Sequence, residues 1–196
     1  MTRYTDLQLD ALRELANIGS GNAATALSSL LGRTIDVSVP NAVALPLADA
    51  VDAVGPPDTT VTGVVLPVGG DLEAMVLLLF PPSDADELCA LLGVEPGSEV
   101  GVSALGEIGN ILGSSYIGAL ASMVGLVLEP SPPAIATDML GAIVASVIVA
   151  EAHATDIAIL LDSELVVEGA ACSFEFMLVP STDGVTELLG RLGLDG

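Results

Sequence analysis

Residues 10–17 read DALRELAN, and residues 103–110 read SALGEIGN. Each stretch is followed at the same distance by a proline, so Asp10, Glu14, Asn17 and Pro40 recur as Ser103, Glu107, Asn110 and Pro133, every member displaced by 93 positions from its counterpart. With average residue usage, a string of acid or Ser, three residues, Glu, two residues, Asn, a long fixed gap and Pro starts at roughly one position in 10⁵. Two copies in register are therefore not an accident of composition. The repetition also runs past the motif: Gly32 falls on Gly125, and Leu47, Val51 and Val54 fall on Leu140, Val144 and Val147. Glu87-Leu88 aligns with Glu187-Leu188 at the larger shift of 100, so the second half is expected to carry a longer loop or hairpin. This self-similarity predicts one domain over 1–196 made of two tandem repeats, about 1–95 and 96–196.

Local signals give each half the same plan. Thr5-Asp6-Leu7-Gln8 has the form of a helix start, and a helix from there would run, with a bend near Gly19-Ser20-Gly21, to Gly32 as its C-terminal stop. Thr34 to Val39 alternates and is β-branched, which predicts a strand stopping at Pro40. A short helix over 47–54, a hairpin of strands 59–68 and 72–80, and a helix over 84–92 complete the half. The second half predicts a motif helix over 102–125, a turn around Pro130 to Pro133, a helix over 138–149, strands near 155–164 and 167–179, and a closing helix over 183–192. The expected class is α+β, a pseudo-twofold duplication with helices packed on a sheet of antiparallel hairpins contributed by both halves.

On a helical wheel with Asp10 at 0°, Glu14 lies near 40° and Asn17 near −20°, while Ala11, Leu12, Leu15 and Ile18 cover roughly 80–200°. Ser103, Glu107 and Asn110 form the same strip beside Ala104, Leu105, Ile108, Ile111 and Leu112. Each motif is thus expected on a solvent-facing strip flanking a buried stripe. A solvated face explains one such strip, but Asn is a mediocre helix former, and its retention at Asn17 and Asn110 points to a function. Pro40 and Pro133 are expected to set the chain direction after the first strand of each half.

The chain has 26 acidic residues, four Arg and no Lys, and a formal charge of −22. Nucleic acid and anionic membrane are excluded as partners, because both are bound through Lys and Arg. Acidic excess spread along the chain, absent Lys and few aromatics suggest a salt-accumulating halophile's cytoplasm. Cys89, Cys172 and the single His153 are isolated, give no metal spacing and suggest buried reduced thiols. Ile111 to Leu128 is an uncharged run at the lower edge of a membrane span. Its repeat mate, Ile18 to Ile35, is polar, so both are expected in a soluble core. No leader is expected at the N-terminus, where the chain runs directly into an amphipathic pattern.

Glu beside Asn supplies neither a nucleophile nor a strong general base, but a carboxamide can hold a water in line with a phosphorus whose other requirements are met elsewhere. Asp10/Glu14/Asn17/Pro40 and Ser103/Glu107/Asn110/Pro133 resemble the signature of the CheC/CheX/FliY family of chemotaxis phosphatases. The resemblance spans essentially the whole chain. It implies a CheC-like fold and, as substrate, the aspartyl phosphate of the response regulator CheY. Asn17 and Asn110 would orient the attacking water, and Glu14 and Glu107 would pair with the regulator's Lys. The regulator would supply the phosphorylated Asp and Mg²⁺, leaving no cofactor for this chain. A complex with the deamidase CheD is also implied, with no residue here that marks its surface. A non-catalytic adaptor of the same fold, binding CheY-P, CheD or a motor-associated protein, is the alternative, but an adaptor has no need of Asn twice.

The charge predicts salt-dependent folding, because molar salt shortens the Debye length to roughly 3 Å and removes most self-repulsion. Circular dichroism across a KCl series should show structure gained between about 50 mM and molar salt. A full native signal with unchanged melting at the low end would assign the acidity another purpose.

Overall fold

A computed structural model describes residues 6–150, 157–167, 170–181, 188 and 190–191. The elements are α1 (Asp6–Leu31), β1 (Ile35–Pro46), α2 (Leu47–Val54), β2 (Thr60–Gly70), β3 (Ala74–Phe80), α3 (Pro82–Leu91), α4 (Glu99–Val124), β4 (Leu128–Pro130), β5 (Ala134–Met139), α5 (Leu140–Ala150), β6 (Ile157–Val167) and β7 (Ala170–Pro180). The expected closing helix lies outside the described residues except for Leu188, Gly190 and Arg191, which are helical.

Glycines end both long helices. Gly32 (φ 64°) and Gly125 (φ 67°) adopt the left-handed conformation that L side chains resist, and their amides bond back to the Ser28 and Ala121 carbonyls at 3.0 and 2.9 Å. At the other end of α4, Ser98 caps the helix: its Oγ accepts from the Gly101 amide at 3.0 Å. Helix α1 runs unbroken through Gly19-Ser20-Gly21.

Among the described residues all strands pair antiparallel in a seven-stranded sheet of order β1-β6-β7-β3-β2-β4, with β5 also on β2. The order reads alike from both ends. A hairpin, β6–β7, carries β1 on its outer side, and a hairpin, β2–β3, carries β4 and β5 on its outer side. Since β1 comes from the first half and β6–β7 from the second, each half completes the other's sheet, as the α+β reading expected.

Apolar side chains fill both faces. One core lies under α1, α3 and α4, with Leu15, Leu27, Ile108, Leu112, Tyr116 and Phe176 among its members. The other lies under α2 and α5 and includes Leu77, Leu140, Val144 and Met177. Strand β3, in the middle, is buried along its whole length, which explains its uninterrupted apolar run. The uncharged run from Ile111 is the second half of α4, and among the described residues no helix is long and apolar enough to cross a membrane.

Three expectations are corrected. Strand β1 does not stop at Pro40 but continues to Pro46. Its register with β6 shifts between Ser38 and Asn41, which pair with Glu164 and Asp162, so β1 holds one extra residue there. Proline has no N–H to give a ladder, and an edge strand with a bulge is where it is tolerated. At the corresponding place in the second half, Pro133 sits in the gap between β4 and β5, so the expected turn around Pro130 to Pro133 separates two short strands that the sequence did not announce.

The third concerns which way the motif helices face. Among the described side chains of α1 the buried ones are Leu15, Ala16, Gly19, Ser20, Ala23 and Leu27, spanning roughly 140–280° on the same wheel. Ile18, expected in the core, is 37% exposed. The helices are rolled toward their small residues. A Cβ on Gly19 would collide with the Tyr116 ring, and one on Gly109 would lie 2.6 Å from Val64 Cγ1. Close approach to the sheet and to each other needs those side chains absent.

Gly109→Ala should therefore destabilise the protein by about 1–3 kcal/mol, because Val64 meets the new methyl close to its own backbone. A Cβ on helical, exposed Gly21 meets nothing within 4 Å, so Gly21→Ala should stabilise by up to about 1 kcal/mol. Urea denaturation in molar salt distinguishes the two signs.

Candidate functional site

Helices α1 and α4 pack against one another on one face of the sheet, and each carries one copy of the repeated motif. Glu14 and Asn17 are exposed on α1, and Ser103 and Glu107 are exposed on α4, as the wheel expected. Asn110 is half-buried. Among the described residues no hydrogen bond ties down the Asn17 or Asn110 carboxamide, so both hydrogen-bonding ends stay available. Asp10 lies on α1, and Pro40 and Pro133 lie in the strand region after each helix, away from the Glu–Asn pairs in sequence.

Glu and Asn three residues apart on a helix place their Cβ atoms about 5–6 Å from each other. One strip thus offers a carboxylate and, one turn on, a carboxamide. The backbone beneath Asn17 is held by Ser20, whose buried hydroxyl donates to the Asn17 carbonyl at 3.1 Å. Beneath Asn110 the helix rests on the sheet through Gly109 and Gly113 against Val64 and Leu66. The end of α4 is fixed as well: the Val127 amide donates to Asp71 Oδ2, and the Asp71 amide donates to the Val127 carbonyl, both at 2.8 Å. Beside the α4 motif, Glu99, Val100, Ser103, Ala104 and Glu107 line a shallow open depression. So open a strip cannot enclose a small substrate, but a helix surface carrying it can be inserted into a cleft of another protein.

The comparisons with known proteins decide the family. The CheC-like family model matches residues 7–43 and again residues 100–136, and both Glu–Asn pairs fall inside the matches. The CheY-P phosphatase CheC of Bacillus subtilis is 32% identical over 95% of this chain and 94% of its own length. The chain belongs to the CheC-like family. In structure it is similar to Thermotoga maritima FliY, with a TM-score of 0.72 over 100% of both chains at 22% identity. It is also similar to the middle domain of Helicobacter pylori FliM, with a TM-score of 0.67 over 95% of this chain and 99% of that one, at 14% identity. At those identities the two structures speak for the fold alone.

Other chemistry is sparse. Among the described residues no group of His, Cys, Asp and Glu could hold a metal ion. Cys89 and Cys172 are buried free thiols. Burial pushes the Cys172 thiol up to about 11, helped by Asp84 and Glu87, and burial and Asp86 raise that of Cys89, so neither is a reactive thiolate.

Sequence reasoning missed a carboxyl that is the most perturbed among the described residues. Glu175 on β7 has its Oε2 buried without a hydrogen-bond partner, and burial, then Asp162 directly across on β6, raise its carboxyl from the usual 4.5 to about 7. Only the strand register reveals that these two acids face each other. The folded state therefore holds this proton more tightly than the unfolded chain. The stability it contributes is complete below about pH 4.5 and is lost as pH rises through 7. Melting at pH 5.5 should exceed melting at pH 8. Glu175→Gln should shrink that gap by roughly 2–4 °C, the effect of about 1 kcal/mol once solvent access is discounted. An unchanged gap would show that the remaining acids cause it.

Proposed function

We infer that the chain removes the phosphoryl group from the aspartyl phosphate of a CheY response regulator, with Asn17 and Asn110 each positioning the attacking water. The observation that carries this reading is the pair of available carboxamides, each one helical turn from an exposed Glu, in a member of a family whose Bacillus subtilis relative is a CheY-P phosphatase. The regulator contributes the phosphorylated Asp, its Lys and Mg²⁺. The Asn carbonyl accepts one hydrogen from water while its NH₂ group donates toward the water oxygen or the phosphoryl group, and this aims a lone pair at phosphorus. The water oxygen bonds to phosphorus, the bond from phosphorus to the Asp oxygen breaks, the electron pair leaves with the carboxylate, and the proton lost by the water passes to a phosphoryl oxygen of the released inorganic phosphate. No protein general base is required, because positioning supplies the acceleration. Glu14 and Glu107 pair with the regulator's Lys and fix the docking angle. The whole of 1–196 acts as one domain of two tandem repeats, presenting two such sites.

The division of labour between Glu and Asn is open to steady-state kinetics on phosphorylated CheY. In an Asn17→Ala background, Glu107→Ala should raise the half-saturating CheY-P concentration more than it lowers the maximal rate. A charge-assisted contact is worth about 1–3 kcal/mol, or roughly 5- to 150-fold, and molar salt should hold the effect to the lower end. Asn110→Ala should instead lower the maximal rate. The same pattern from both variants would mean that the two roles are assigned wrongly.

A further inference from the structure

Exposed and half-buried aliphatic residues lie beside each motif strip, Ile111 among them also packing against the core. On α4, with Ser103 at zero, Val100, Ala104 and Ile111 lie at roughly 60°, 100° and 80°, next to Glu107. On α1, Ala11 and Ile18 hold the places of Ala104 and Ile111. Val100 is 63% exposed and Ile18 37%, while Ala11, Ala104 and Ile111 are half-buried. Val100 and Ala104 also form the apolar part of the depression whose rim carries Glu99 and Glu107. Capping and the helix dipole account for an acid at Glu99, in the first turn of α4, but not for an exposed valine beside it. A single exposed aliphatic residue is ordinary. Corresponding aliphatic residues kept beside both Glu–Asn strips, in a chain with 26 acidic residues, are not.

We propose that this edge is the apolar half of the docking surface for the CheY receiver, packing against an aliphatic or aromatic side chain that flanks the receiver's basic contact residue. The inference rests on the phosphatase reading above and extends its footprint from two side chains per site to a mixed strip. Charge complementarity and contiguity commit the edge to that occupant, because whatever seats a cation on Glu107 also covers Val100 and Ala104. An apolar contact also retains its strength where molar salt screens the Glu–Lys pair. The arrangement is that of a protein interface with an apolar centre and a charged margin.

The test is a titration of CheY, held in a phosphorylated-like form by beryllofluoride and Mg²⁺, against the Glu14→Ala chain, in which docking at the first site is weakened, read by fluorescence anisotropy at low and at molar KCl. Val100→Ser should weaken binding by on the order of 5- to 10-fold, the worth of part of a valine side chain, and the loss should persist in molar salt. Glu107→Gln should weaken it mainly at low salt. Val127→Ser, an equally exposed valine away from the strip, is the control and should bind as the parent does. Circular dichroism checks that each variant is folded. Val100→Ser binding like Val127→Ser overturns the apolar edge, whatever the catalytic outcome. A parent chain that binds no CheY overturns the edge and the phosphatase reading together, whereas binding here with no phosphate release from phosphorylated CheY in a separate assay overturns the phosphatase reading alone.

Discussion

Absent side chains at Gly19, Gly109 and Gly113 set how closely the two motif helices approach each other and the sheet. The Tyr116 ring fills the space that a Cβ on Gly19 would take, and it lies 4.8 Å, centroid to centroid, from Phe176 of β7. Dispersion falls steeply with separation, so this contact is available only at that close range. It also fixes the roll of each helix. With small residues turned inward, the polar strip and its aliphatic neighbours face outward, and Glu14, Asn17, Glu107 and Asn110 are presented on a rigid support rather than on loops.

The sheet adds a second constraint. Strand β1 completes the hairpin β6–β7, and β4 and β5 complete the hairpin β2–β3, so each motif helix leads into a strand that belongs to the other half's hairpin. Neither half buries its own apolar surface alone. The two motifs are therefore mechanically tied, and the gap in sequence between them says little about their relation in the fold.

Much of this was legible in the chain. The terminal glycines Gly32 and Gly125, the short helix over 47–54 and the strands of the two hairpins stand close to where the pattern put them, because each is dictated by local chemistry. What was not legible depends on long-range packing. Period-3.6 reasoning gives weight to large aliphatic residues and placed Ile18 inside, whereas the real interface selects small ones. Pro40 reads locally as a strand end, and only the bulge against β6 shows how an edge strand accommodates it. Strands β4 and β5 are too short to signal themselves and exist because β2 offers them an edge. The exposure of Glu14, Asn17, Ser103 and Glu107 followed from the wheel alone, since it depended only on their sharing an angle away from the core. The Asp162–Glu175 opposition required the register of two strands.

Everything proposed for the site turns on two carboxamides acting on one water each. The direct measurement is the rate of inorganic phosphate release from phosphorylated CheY in molar KCl, with the wild-type chain and with the folded Asn17→Ala/Asn110→Ala variant. The account predicts acceleration over CheY alone with wild type, a part of it with either single variant, and none with the double variant. A double variant that releases phosphate as fast as wild type would contradict it.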